Sequence, residues 1–139
     1  MASYLEELMA RRERTQHIYD LYNANLLEEL LVFYDDDVVS CMPSETGHGA
    51  PKMHFAQGKA AYREQLRRFR SLHGRLTVLD VFPAAQESSV TFRDEHGRVG
   101  TFSIGLSAEG RINRIFYHEA PADVAKLSRQ GALDMTARA

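Results

Sequence analysis

Few residues in this sequence have both the type and the spacing for chemistry. Ser44 to Gln57 carries Glu45, His48 and His54, a carboxylate and two imidazoles that are the raw material of a metal site. Their spacing matches neither the i, i+4 histidine pair of a helix-borne zinc site nor any recognised loop site, so no metal is expected. Cys41 is the single cysteine. One thiol forms neither an intramolecular disulfide nor a thiolate zinc site, and without an activating neighbour it reads as a buried structural thiol. No glycine-rich loop follows a strand pattern, so nothing cradles a phosphate. Proton chemistry is what remains. Imidazoles and carboxylates held in apolar pockets are the side chains suited to acid–base work near neutrality, which singles out His54 and Glu119.

Periodicity supplies the elements that position these groups. Ser3 with Glu6 has the pattern of a capping box, and Leu5, Leu8, Met9, Ile18, Leu21 and Tyr22 recur at helical spacing, predicting a helix over about Ser3–Tyr22. Asn25 with Glu28 predicts a second helix through Leu26, Leu27, Leu30, Leu31 and Phe33, closed by Tyr34-Asp35-Asp36-Asp37. Val38–Met42 reads as a strand stopped by Pro43, and Ser44–Gln57 as a long irregular loop. Gly58 precedes a third helix with Tyr62, Leu66 and Phe69 as its buried stripe. Beyond Gly74, strands are predicted at Leu76–Phe82, Ser88–Arg93, Val99–Leu106 and Ile112–Glu119, the last three joined by turns containing Gly97 and Gly110. Pro121 ends the last strand, and Ala122–Gln130 is a candidate terminal helix before a frayed tail. Helices first and an antiparallel meander after them give an α+β layout, with the helices on one face of a curved sheet.

The 139 residues suit one domain, residues 1–139 with a core over about 3–120, and 44% hydrophobic against 26% charged residues excludes wholesale disorder. A formal charge of -2 offers no footprint for a phosphate backbone, so nucleic acid is not an expected partner. The cluster Arg63, Arg67, Arg68 and Arg70, with Glu64 among them, reads as the solvated face of a helix. MASYLEELMARRER lacks the apolar run of a signal peptide, and no stretch reaches the twenty or so apolar residues of a membrane span. A cytoplasmic protein without membrane contact is therefore expected.

Several strings, in order, resemble the nuclear transport factor 2-like superfamily, in its SnoaL-like and ketosteroid isomerase-like branch. They are the Asn23-Ala24-Asn25 break between two helices, Tyr34-Asp35-Asp36-Asp37-Val38-Val39 leading into a strand, Gly58-Lys59-Ala60-Ala61-Tyr62 opening a helix, and Glu109-Gly110-Arg111-Ile112 before a strand ending in Tyr117. The resemblance covers about Arg14 to Glu119. It implies a cone-like α+β half-barrel with three helices on its concave face around a mostly apolar pocket, and a homodimer built on the outer face of the sheet. Function does not travel with this fold.

Ketosteroid isomerases use an aspartate base with a tyrosine and a protonated aspartic acid as oxyanion hole. The resemblance places these positions at Met42, Ile18 and Phe102, all apolar here, which argues for a pocket and against that isomerisation. With this parity the pocket face holds Val38, Ser40 and Met42, then Phe102 and Ile104, then Asn113, Ile115, Tyr117 and Glu119, with Tyr22 beside Ile18. The opposite face takes Cys41 and His118, with Leu79, Val81 and Phe116 available for association; a slip of one residue would bring His118 inward instead. The best chemical pair is Glu119 with His54, supported by Tyr117 as hydrogen-bond donor. Ile18, Tyr22, Ser40, Met42, Phe102, Ile104, Asn113 and Ile115 would contact the ligand. The expected activity is a cofactor-independent isomerisation, cyclisation or dehydration of a compact apolar cyclic metabolite. The rival expectation is a non-catalytic binding or interaction domain that associates through the outer sheet face.

Overall fold

A computed structural model describes residues 3–43, 53–83 and 87–119. Helix α1 spans Tyr4–Asn23 and opens with the expected capping box: Ser3 Oγ accepts from the Glu6 amide and the Glu6 carboxylate accepts from the Ser3 amide. Tyr4, Leu5 and Met9 in its first half are exposed in spite of their helical spacing, and only Ile18, Tyr19, Leu21 and Tyr22 in the last turns are buried. Asn25 is not the start of the next helix. It takes φ of 61°, a left-handed conformation that asparagine tolerates, and turns the chain out of α1. Helix α2 is therefore short, Leu27–Leu30, and runs into a 3₁₀ turn at Leu31–Phe33.

Strand β1 spans Tyr34–Pro43, so the three aspartates lie within a strand instead of closing a helix. Strand β2, Met53–Gln57, replaces the last part of the expected loop and pairs antiparallel with β1. Residues 44–52, including His48 and Glu45, lie outside the described residues. Helix α3 spans Lys59–His73, and its stripe Tyr62, Leu66 and Phe69 is buried as the spacing requires. Strands β3 (Leu76–Pro83), β4 (Glu87–Asp94), β5 (Val99–Leu106) and β6 (Ile112–Glu119) follow as an antiparallel meander. The six-stranded sheet has the order β2-β1-β6-β5-β4-β3. Its sheet is mixed, because β1 runs parallel to β6, whereas the meander pattern alone predicts antiparallel neighbours throughout. The expected terminal helix lies outside the described residues.

Helices and sheet meet in one core that joins Tyr22, Leu30, Tyr34, Tyr62, Phe69, Phe92, Phe102 and Tyr117. The arginine cluster splits in two. Arg63, Arg67 and Arg68 pair at the surface with Glu28 and Glu64, as a solvated face would. Arg70 instead donates from Nε to the Tyr22 carbonyl and from Nη2 to the Asn23 carbonyl, so a cation on α3 caps the carbonyl end of α1. Asn23 completes the joint, accepting from the Leu76 amide at 2.8 Å and donating to the Leu76 carbonyl at 2.9 Å. These contacts hold α1 against the concave face of the sheet.

Candidate functional site

A cleft lies between the middle of α1 and the concave ends of β1, β4, β5 and β6. Ile18, Ile104, Leu106, Ile112 and Ile115 supply its apolar walls, and Arg11, Arg14, Thr15 and Ser88 supply polar atoms. The space between the walls is about 500 Å³ including its solvent-open mouth, but the centre of a water molecule has only about 40 Å³ to move in. The cleft is thus narrow and open to solvent. Tyr19, Tyr34, Ile18 and Ile115 also wall a deeper void of about 20 Å³ reaching Tyr62, Phe69 and Phe102. Aromatic rings fill the rest of the interior: Phe102 stacks on Phe92 with centroids 5.0 Å apart and meets Phe69 at 5.5 Å.

The polar corner of the cleft is made by Tyr34 and Arg14. Tyr62 donates its hydroxyl proton to the Tyr34 oxygen at 3.1 Å. Two phenols sharing one hydrogen bond retain one proton to give, so the pair is a donor. Burial pushes the Tyr34 phenol up to about 12, although the Tyr62 hydrogen bond and the Arg14 charge pull the other way. Burial likewise raises Tyr19 and Tyr62 well above the usual phenol range. All three are neutral near pH 7 and act only as hydrogen-bonding groups. Arg14 is half-buried. One of its Nη atoms donates to the Gly110 carbonyl at 2.6 Å, and its guanidinium lies over the Phe33 ring, 5.8 Å from the centroid. Burial lowers its pKa while nearby Tyr34 raises it, and a guanidinium stays charged throughout.

The residues nominated from sequence divide between wall, core and edge. Ile18, Ile104 and Ile115 wall the cleft, and Ile18, Tyr22, Phe102 and Ile115 wall the deeper void. The Tyr22 hydroxyl donates to the Gly74 carbonyl at 2.8 Å. Met42 and Ser40 point inward and are fully buried, but Ser40 spends its hydroxyl on Gln65 Oε1 at 2.5 Å. Asn113 is displaced. A bulge pairs Gly105 with Arg114 and Leu106 with Ile112, leaving Asn113 out of register, so Ile112 and not Asn113 faces the cleft. A second bulge between Val78 and Asp80 turns Val81 inward, against the outward placement expected for it.

Tyr117 is 5% exposed and belongs to the aromatic core, its ring 5.7 Å from both Phe69 and Phe102. It fits because Gly100 has no side chain: a Cβ there would lie 2.8 Å from both Phe92 Cζ and Tyr117 Cε2. Gly100→Ala is therefore expected to destabilise the fold by about 1–3 kcal/mol, read as a lower urea midpoint with an unchanged slope. An unaltered midpoint would show that the rings move aside freely.

His54 pairs with Met42 across β1 and β2 but is exposed at the sheet edge. It borders a separate groove between β2 and α3, with Gln57, Glu64, Gln65 and Arg68, where water centres have about 360 Å³. Among the described residues it does not line the cleft, so the structure does not bring it to the site expected for it. Glu119 lies in β6 opposite Gly100, and its side chain is outside the described residues. His118 is exposed on the outer side, and Cys41 is buried there between its neighbours Phe55 and Phe116, with its thiol pushed up by burial. No group of three or more potential metal ligands occurs among the described residues.

One histidine–carboxylate pair was not anticipated. His73 Nδ1 lies 2.8 Å from Asp94 Oδ2, and that carboxylate also accepts from Arg98 Nε at 2.8 Å and from the amides of His96 and Arg98. Both side chains are buried, and the imidazole stacks on Phe69 at 4.1 Å. The pair ties the end of α3 to the β4–β5 turn, away from the residues that line the cleft and the groove. The residues are 21 apart in the chain, and the Asp94–Gly97 string signals only a turn.

No protein-family model and no curated protein matches the chain. Solved structures do resemble it. A SnoaL-like protein of unknown function from Burkholderia thailandensis superposes with a TM-score of 0.66 at 16% identity, covering 79% of this chain and 94% of its own. SalBIII, an epoxide hydrolase/cyclase-like enzyme in pyran ring formation in the polyether salinomycin, gives 0.60 at 13% identity over 83% and 94%. Rv0760c from Mycobacterium tuberculosis, in complex with estradiol-17β-hemisuccinate, gives 0.56 at 18% identity over 78% and 92%. The fold is that of SnoaL-like proteins, as the sequence strings indicate.

Proposed function

We propose that this chain is a small-molecule pocket protein that takes a compact, largely apolar ring compound into the cleft between α1 and the concave face of the sheet. The observation that carries this reading is the lining: Ile18 of α1 faces Ile104, Leu106, Ile112 and Ile115 of the sheet across a solvent-open cleft whose polar groups sit at one corner and at the rim. The fold supports it, since one similar protein is in complex with a steroid derivative and another is a cyclase-like enzyme in pyran ring formation. In catalytic form the reading is a cofactor-independent isomerisation, cyclisation or dehydration. The Tyr34–Tyr62 pair would polarise an acceptor atom, whereas Glu119, nominated for proton transfer, stands opposite Gly100 and about 13 Å beyond Ile115 along β6, so it would serve only a ligand that extends out of the cleft.

Burying about 200 Å² of apolar ligand surface is worth about 5 kcal/mol before the entropic cost of association, so hydrogen bonds at the polar corner must add to it for binding to be measurable. Calorimetric titration with 2-naphthamide, an uncharged two-ring probe, is expected to show saturable binding. Thr15→Phe, which fills the cleft from a half-buried rim position, is expected to abolish it, whereas Arg68→Gln in the other groove leaves it unchanged. Binding that survives Thr15→Phe and is lost in Arg68→Gln would move the site to the groove.

A specific observation also supports self-association through the outer sheet face. In register across all six strands lie Phe55, Cys41, Phe116, Ser103, Ser89 and Phe82, a row without a charge. Phe55 is 70% and Phe82 72% exposed. We infer a homodimer formed on this row. Sedimentation is expected to give twice 15.8 kDa at micromolar concentration, falling to the monomer in the Phe55→Lys, Phe82→Lys double variant. A wild-type monomer would refute it.

A further inference from the structure

The cleft carries a charge that an apolar ligand alone does not use. Arg14 is half-buried in the cleft wall, held in place by the Gly110 carbonyl and the Phe33 ring. A guanidinium has five N–H donors, and the Gly110 bond engages one of its nitrogens. Among the described residues no carboxylate forms a salt bridge with Arg14. Arg11, one turn earlier on the same helix, also lines the cleft. Partly desolvating a cation without a counter-ion costs free energy, and a bound anion recovers it. Tyr34, on the opposite wall, adds a neutral donor close enough to Arg14 for each group to shift the other.

Resting on the reading of the cleft as the ligand site, we propose that its ligand is an apolar ring body bearing one anionic group of the carboxylate class, received by Arg14 at the rim. The body lies against Ile18, Ile104 and Ile115, and the Tyr34–Tyr62 pair donates to an oxygen on the ring system. The anion stays near solvent, which limits its desolvation. Arg14 is a binding and orienting residue in this account. It fixes which end of the ligand reaches Tyr34.

The test compares 2-naphthoate with 2-naphthamide, matched in shape and differing in charge, by calorimetry near pH 7. Wild type is expected to bind the acid about tenfold more tightly than the amide, the scale of one charge-assisted hydrogen bond. Arg14→Gln is expected to erase that difference while still binding the amide, which shows that the variant is folded and its cleft intact. Arg14→Lys is expected to keep part of the preference. Equal affinities for acid and amide in wild type would overturn the anionic ligand and leave the cleft reading standing. A preference for the acid that persists in Arg14→Gln would overturn the assignment to Arg14. No binding of either probe would overturn both readings together.

Discussion

Asp94→Ala is expected to cost the fold about 3–5 kcal/mol, a large part of the 5–15 kcal/mol typical of such domains. The carboxylate accepts from His73, from Arg98 Nε and from the amides of His96 and Arg98, so its removal strands several donors in a buried place. Burial alone would raise the Asp94 pKa; the four hydrogen bonds outweigh it and hold the carboxyl below its ordinary value. A depressed carboxyl stabilises the fold above its unfolded pKa of about 3.9 and loses that contribution as pH falls through the folded value. The stability difference between wild type and Asp94→Asn is therefore expected to be full near pH 6 and to shrink on acidification. Urea unfolding at several pH values reads this directly. A difference independent of pH would mean that the Asp94 charge does not matter to the fold.

Phe69→Ala is expected to be comparably damaging, at about 3–5 kcal/mol. Phe69 is 1% exposed and its ring meets Tyr22, His73, Phe92, Phe102 and Tyr117. Truncation would join a ring-sized hole to the 20 Å³ void already beside it, and the rigid aromatic neighbours have little freedom to close it. Chemical denaturation is expected to show a midpoint lowered in proportion, with ANS fluorescence rising if packing loosens. A loss below about 1 kcal/mol would show that the surrounding rings collapse into the space.

The parts of the fold that were legible in the sequence are those whose burial pattern repeats locally. The Tyr62, Leu66, Phe69 stripe and the alternation in β5 needed no knowledge of partners. Strand β2 was hidden because it is an edge strand with exposed side chains, so Met53 and Phe55 show no inward counterpart. The start of β1 was hidden because three aspartates disfavour a strand, yet pairing of Tyr34 with Ile112 in β6 recruits them. At the site, Ile18 followed from the resemblance, and Ile104 and Ile115 from alternation once the resemblance set the parity, but the bulge at Asn113 brought Ile112 inward in its place. Arg14 and Tyr34 gave no signal, because a charged helix residue and a strand-opening tyrosine become a polar corner only when three distant segments meet.

The position of the ligand cleft is tested most directly by mapping amide shifts in a ¹⁵N-labelled sample titrated with 2-naphthamide. The largest changes are expected at Thr15, Ile18, Tyr19, Ile104 and Ile115, with little movement at His54, Gln57 and Gln65. Changes centred on β2 and α3, with the α1 and β5 amides unmoved, would contradict it.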